Sequence, residues 1–338
     1  MFIRIYFVAF FAGIVIAATA QQKRFSFTQP KMGSPFTIVL YSDDSLQAID
    51  LAKQCFNLVD SFNLIFSDYT DTSELGKLNA SALIDTRAVK VSPALYEIFM
   101  LSKNAFDKSD GTFDITIGPL VKLWRNARKT KQFPDRKTVR AIREVTGFNK
   151  VIMDTVTKQV TLLIPGMQLD LGGIAKGWIA QKIIDFLSSL HTNHALINAG
   201  GDIVMSGGPP GTHGWTVGIN MPETKDELLP KNLLLQNKAV ATSGDVYQFI
   251  ENRGKKYSHI IDPRTGYGIT SQRNVTVIAT DGATADWLAT ACSILPVKKA
   301  KRLAAYMGAA VLITERVKSK LIINATKDFA QYWKQAER

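Results

Sequence analysis

Residues 169–207 read LDLGGIAKGWIAQKIIDFLSSLHTNHALINAGGDIVMSG, and the way this stretch changes period indicates the kind of fold the chain takes. Leu169 to Leu171 reads as a short strand and Gly172-Gly173 as a turn. A helix follows, because Ile179, Ile183, Ile184 and Leu187 recur at the three- and four-residue spacing of one buried face. ALINAGGDIVMSG (195–207) then reads as another strand. Downstream, WTVGIN (215–220), KAVATSG (238–244), NVTVIAT (274–280), AAVLIT (309–314) and KLIINA (320–325) have strand composition and antiparallel character. Helices around Asp286 to Leu295 and over 298–307 interrupt them. This irregular mixture predicts an α+β fold, not a doubly wound parallel sheet.

Upstream, FTIVLYS (36–42) reads as a strand, and Asp44-Ser45 opens a helix with Leu51, Cys55, Leu58 and Phe62 on one side. Ser92-Pro93 is an N-cap followed by proline at the first helical position, with Leu95, Phe99 and Phe106 continuing a buried stripe to about residue 108. A basic helix near 136–145 precedes strands KVIMD (150–154) and QVTLLI (159–164). The first twenty residues, MFIRIYFVAFFAGIVIAATA, carry one charge, Arg4, then an apolar run and Ala18-Thr19-Ala20, which reads as an export signal cleaved after residue 20. The length of the run also permits an uncleaved membrane anchor. Either way the mature part, 21–338, reads as one catalytic domain with a polar N-terminus, QQKRFSFTQ.

The chain is basic, with a net charge of +12 from 41 Lys and Arg against 29 Asp and Glu. Its clusters at 125–143 and at VKKAKR (297–302) lack the aromatic interleaving of a single-strand binder, so they read as solvated helix faces with at most an attraction for an anionic ligand, and no nucleic-acid partner is expected. Cys55 and Cys292 sit in apolar contexts and read as two buried thiols, not a disulfide scaffold. The four histidines have no spaced Cys partners for a zinc site, and His191 with His194 reads as a solvated loop pair.

Three segments can carry chemistry. Gly172 to Gly177 places bare backbone at a junction where N–H groups favour an anion, and also suits a plain turn. Asp286 and Thr290 stand at i, i+4, able to offer oxygens to a hard cation such as Mg²⁺ from one helix face, or, for Asp286, to cap a helix. His259, in YSHIIDPRTG (257–266), can donate to a phosphate or move a proton.

Together with KMGSPFTI (31–38), SDYTDTSELGKLN (67–79), GTFDITIGPLVKLW (111–124), LINAGGDI (196–203), TSGDVYQF (242–249) and ADWLAT (285–290), these segments resemble the ApbE family of flavin transferases, in family order and over essentially the whole mature chain. The resemblance implies an ApbE-like mixed fold of antiparallel sheets flanked by helices. It also implies a Mg²⁺-dependent enzyme that moves FMN from FAD onto a Thr or Ser of a target flavoprotein, releasing AMP. It places FAD at Met32, Tyr69, Thr112, Phe113, Asp114, Gly172, Trp178 and Ile260. The metal falls at Ala175 (carbonyl), Asp286, Ala289 (carbonyl) and Thr290, and activity at His259 and Asp286. Ala289 stands where some members have Asp. By the same resemblance the targets are expected to be membrane-associated electron-transfer flavoproteins, while the N-terminal signal implies an exported enzyme acting outside the cytoplasm, in a bacterial periplasm. An FAD pyrophosphatase giving FMN and AMP, and a periplasmic FAD carrier without turnover, are the alternatives.

Overall fold

The computed structural model describes residues 22–220, 227–244, 248–317 and 320–335; the expected export signal at 1–20 and the centre of TSGDVYQF lie outside them. Its frame is one eight-stranded antiparallel sheet: β1 (Lys23–Lys31), β2 (Ser34–Ser42), β3 (Ala195–Ala199), β4 (Asp202–Met205), β5 (Lys238–Ser243), β6 (Arg273–Ala279), β7 (Ala310–Val317) and β8 (Lys320–Ala325). The strands lie side by side in chain order, every neighbouring pair antiparallel. The α+β expectation is met.

Period-two alternation assigns the two faces. Ile38, Leu40, Ala239, Ala241, Val275, Val277, Val311 and Ile313 point to one core, shared with helices α1 (Ser45–Phe66), α2 (Glu74–Ile84), α3 (Pro93–Lys108), α6 (Ala175–Ser189), α7 (Gly282–Ile294) and α8 (Val297–Tyr306). Val39, Val240, Ile278, Ala310 and Leu312 point the other way, under a hairpin of Trp215–Val217 with Leu233–Leu235 and the turn around Phe329. A third cluster packs α4 (Gly118–Thr130) and α5 (Arg136–Glu144) against the hairpin Phe249–Asn252 with Lys255–Ser258, around the fully buried Trp124.

The caps behave as their residue types require. Asp44, Ser92 and Asp135 accept backbone N–H groups at the starts of α1, α3 and α5. Two segments depart from expectation. Leu169 is extended but joins no strand, because the buried Asn79 side chain takes both its N–H (2.7 Å) and its carbonyl (2.9 Å). ALINAGGDIVMSG is two strands, not one, since Gly200 and Gly201 adopt positive φ (71° and 110°) and reverse the chain between β3 and β4. β1 is an edge strand where a polar terminus was expected; only Phe25 and Phe27 turn inward. Cys55 and Cys292 are free and buried, which pushes both thiols up to about 12. His194 is held rather than solvated, its Nδ1 2.5 Å from the Gly208 carbonyl. Among the described residues no helix is long and apolar enough to cross a membrane.

Candidate active site

Helices α6 and α7 meet at their first turns through two glycines. A Cβ on Gly177 would overlap the Gly282 carbonyl and stand 2.8 Å from the Asp286 Cβ, so only hydrogen fits there. The approach lets the Gly177 N–H donate to Asp286 Oδ2 at 3.1 Å and the Gly282 N–H donate to Gln181 Oε1 at 3.1 Å. Asp281 caps α7 by accepting the Thr284 N–H. Asp286 is therefore not a cap: it lies inside the helix, 7% exposed, with its carboxylate turned to the α6 junction.

Burial first, and then the charge of Asp202, pushes the Asp286 carboxyl well above the usual carboxylate range. Asp202, at the start of β4, is itself pushed up to about 7 by burial, against the opposing pull of the Lys176 ammonium. Lys176 Nζ in turn donates to Ser34 Oγ at 3.1 Å, which brings the β1–β2 turn to the same place. Thr290, one turn after Asp286, sets its Oγ1 only 3.1 Å from where a Cβ on Gly173 would stand. Sequence reasoning missed Lys176 and Asp202, although both lie within motifs it used; their signal was the charge inside GGIAKG and after Gly-Gly.

These donors suit a hard divalent cation. Two carboxylates of raised proton affinity share one ammonium, and a hydroxyl and the carbonyls of the α6 junction add neutral oxygens, the all-oxygen set that Mg²⁺ prefers. No group of three His, Cys, Asp or Glu gathers among the described residues, so hydroxyl, carbonyl and substrate oxygens would complete such a shell. Ala175 opens α6 beside Gly177 as expected. The Ala289 carbonyl does not join: it is buried within α7 and accepts the Ser293 hydroxyl at 2.9 Å.

The anion cradle expected over Gly173 to Gly177 is narrower than its glycines suggest. The Leu171 carbonyl folds back to take the Ile174 and Ala175 N–H groups, and Asp286 takes that of Gly177. The Gly173 and Lys176 N–H groups are left for a ligand among the described residues.

Met32 sits in the β1–β2 turn with φ 50°. Tyr69 is 76% exposed, with the Arg125 guanidinium 4.1 Å above its ring. Arg125 also pairs with Asp68 (2.6 Å) and Asp170 (3.1 Å), and Asp170 accepts the Gly172 N–H at 2.8 Å. One side chain from a cluster expected to be solvated thus ties two proposed ligand-binding loops together. Arg125→Met would leave two carboxylates unpaired. It is expected to lower unfolding free energy by about 3 kcal/mol, read by urea denaturation, and to weaken FAD binding.

Phe113 is buried with its ring 6.0 Å from that of Trp287 and against Gly173. The Asp114 carboxylate turns away to accept the Thr116 N–H and hydroxyl, and burial pushes it up to about 6. The Thr112 hydroxyl is buried without a partner among the described residues. Trp178 is not brought to the group: its indole is 3% exposed between Phe62 and Phe66, and its N–H donates to Glu97.

His259 follows the strand ending at Ser258; its backbone N–H is held by Gln248, and Ile260 pairs through its carbonyl with Ile269. The His259 Nδ1 is buried without a partner among the described residues. Burial, then the nearby Arg128 charge, lowers its pKa to about 4. The imidazole is therefore neutral at pH 7, fit to accept a proton. A depressed folded pKa against an unfolded value near 6.5 gives stability that is present above pH 6.5 and lost as pH falls toward 4. The expected loss is on the order of 3 kcal/mol at 1.36 kcal/mol per pH unit. Urea melts between pH 7 and 4 should show that slope flattened in His259→Gln.

A model of the ApbE family matches residues 32–313. The chain is 35% identical over 263 residues to an FAD:protein FMN transferase of Klebsiella pneumoniae (strain 342), covering 78% of this chain and 79% of the relative. Among solved structures, the flavin transferase ApbE of Vibrio cholerae superimposes with a TM-score of 0.80 at 26% identity, over 92% of this chain and 99% of that one. The ApbE protein of Thermotoga maritima gives 0.83 at 27% identity, over 93% and 100%.

Proposed function

The chain belongs to the ApbE family, and from that membership together with its site we infer that it is an FAD:protein FMN transferase. FAD is the donor substrate and a flavoprotein the acceptor. The observation that carries the reading to particular residues is Asp286, buried inside α7 and held by the Gly177 N–H beside Asp202 and Lys176.

The acceptor hydroxyl, of a Thr or Ser, attacks the FMN-side phosphorus of FAD; an O–P bond forms, the P–O–P bridge breaks and AMP leaves. Asp286 and Thr290, with the Ala175 carbonyl, would hold Mg²⁺. When bound, the ion neutralises charge developing on the pyrophosphate. Lys176 and the free N–H groups of Gly173 and Lys176 are placed to attract the same oxygens. His259, neutral at working pH, accepts the proton of the attacking hydroxyl or hydrogen-bonds the reacting phosphate. Tyr69, fixed from above by Arg125, and the Phe113 segment hold the flavin nucleotide. The enzyme acts outside the cytoplasm, exported by residues 1–20, on membrane-associated electron-transfer flavoproteins.

The test mixes the mature protein with FAD and Mg²⁺, with and without an acceptor flavoprotein. It follows AMP release and acceptor mass. An acceptor gain of one FMN, abolished by EDTA, is the expected result. AMP and free FMN without labelling would mean a pyrophosphatase, and bound FAD with neither product would mean a carrier.

A further inference from the structure

The basic stretch VKKAKR, which the active site leaves unused, forms most of α8. Ala300, Leu303 and Ala304 go into the core. Lys299, Arg302, Leu303 and Tyr306, spaced i, i+3, i+4 and i+7, share one face, and that face forms a wall of a cavity of ≈ 280 Å³. The opposite wall is the end of α3 and the turn after it, Lys108, Ser109, Asp110 and Thr112, closed by Arg264 and Leu295. Four cations and one carboxylate therefore line it. Arg264 is committed, paired with Asp262 at 2.8 Å through Nε and at 2.9 Å through Nη2, and Asp110 lies near it. Lys108 donates to the Tyr306 hydroxyl at 2.6 Å and has no carboxylate partner among the described residues. Lys299 and Arg302 are exposed, one turn apart, with no ion-pair partner among the described residues.

Like charges one helical turn apart repel, and a buried hydroxyl without a partner forfeits the hydrogen bonds it would make to water. Both costs fall on one cavity, for Thr112, 1% exposed and lining it, is the residue whose Oγ1 is unpaired. An anion with several acceptor oxygens relieves both: it neutralises Lys108, Lys299 and Arg302 and accepts the Thr112 hydroxyl proton. We propose that this cavity between α3 and α8 is a binding site for a phosphoryl group, outside the centre around Asp286 and adjoining the expected flavin site at Thr112. The volume admits inorganic phosphate or a small phosphate monoester. Because Thr112 immediately precedes Phe113, whose ring packs on Gly173 and Trp287, an occupant would also stiffen the wall of the flavin centre.

Calorimetric titration of the metal-free, FAD-free protein with inorganic phosphate, at ionic strength held constant with NaCl, tests the proposal. Saturable binding is expected, weakened at least tenfold in the double variant Lys299→Ala with Arg302→Ala, both exposed positions where folding is not at stake. Thr112→Val, which replaces the unpaired hydroxyl by a methyl group of the same shape, should weaken phosphate binding while leaving the free protein at least as stable to urea. A parallel arm with ribose 5-phosphate separates the two sources: tighter binding that displaces phosphate assigns the site to an organic ester, and weaker binding assigns it to the inorganic ion. Undiminished phosphate affinity in the double variant, displacement of phosphate by FAD with no effect of those substitutions, or no saturable binding above the NaCl background would overturn it.

Discussion

Asp286→Asn abolishes FMN transfer while leaving the metal-free protein no less stable, and the two effects should have opposite signs. Asparagine keeps the shape and an oxygen for the Gly177 N–H. It removes the buried charge that both desolvation and Asp202 oppose, so the urea midpoint without metal should stay level or rise. The same change removes the only carboxylate on α7 facing the junction. Losing a cation's stabilisation of developing phosphoryl charge is worth several kcal/mol, so transfer should fall on the order of a thousandfold. Mg²⁺ should raise the melting temperature of the wild-type protein and not of the variant. A variant that transfers FMN at more than a tenth of the wild-type rate with Mg²⁺ present would remove Asp286 from the metal site.

Gly177→Ala is expected to be the most disruptive single methyl addition near the site. The new Cβ would overlap the Gly282 carbonyl, a backbone atom that no rotamer change can move aside. Helices α6 and α7 must then separate at their first turns. Overpacking of this kind costs about 3 kcal/mol, and the separation breaks the Gly177 to Asp286 hydrogen bond as well. Urea unfolding should show the loss of stability, and transfer activity should be lost even at temperatures where the variant stays folded. Gly282→Ala, whose Cβ meets the Gly177 carbonyl in return, should reproduce both effects. Wild-type stability in either variant would show that the crossing can relax without cost.

Much of this arrangement was legible in the residues, and the parts that were not share a physical reason. Helices α1 and α3 announce themselves by a side-chain cap and a regular apolar stripe. Helix α4 does not: Ile117 supplies no capping side chain, and its buried face holds only Gly118, Leu120, Trp124 and Ala127. Leu169 to Leu171 reads as a short strand, yet a side chain 90 positions away completes the hydrogen bonds of Leu169. Spacing alone put Asp286 and Thr290 on one face and favoured capping over metal binding for Asp286, yet the cap proved to be Asp281. The family resemblance supplied Met32, Tyr69 and the 112–114 segment, which no periodicity marks. What neither source revealed is pairing across the fold: Lys176 with Ser34 and Asp202, or Arg125 with Asp68 and Asp170, depends on where the sheet and helices deliver side chains distant in sequence.

The order of the sheet has a consequence in time. All seven pairings join strands that follow one another in order within this sheet, but β2 must wait for β3 across residues 43–194, which hold six of the eight α-helices among the described residues. At about 5–20 residues per second of synthesis, that wait lasts on the order of 10 to 30 s. During it the inner edge of β2, with Phe36, Ile38 and Leu40 beside it, has nothing to pair with, the condition under which strand edges invite other chains. Ser34 at that edge, Lys176 late in the insertion, Asp202 after it and Asp286 far beyond are assembled only once the gap closes. The nascent chain therefore gains its chemistry last, and a partner that shields the waiting hairpin should raise the yield of active enzyme more than its specific activity.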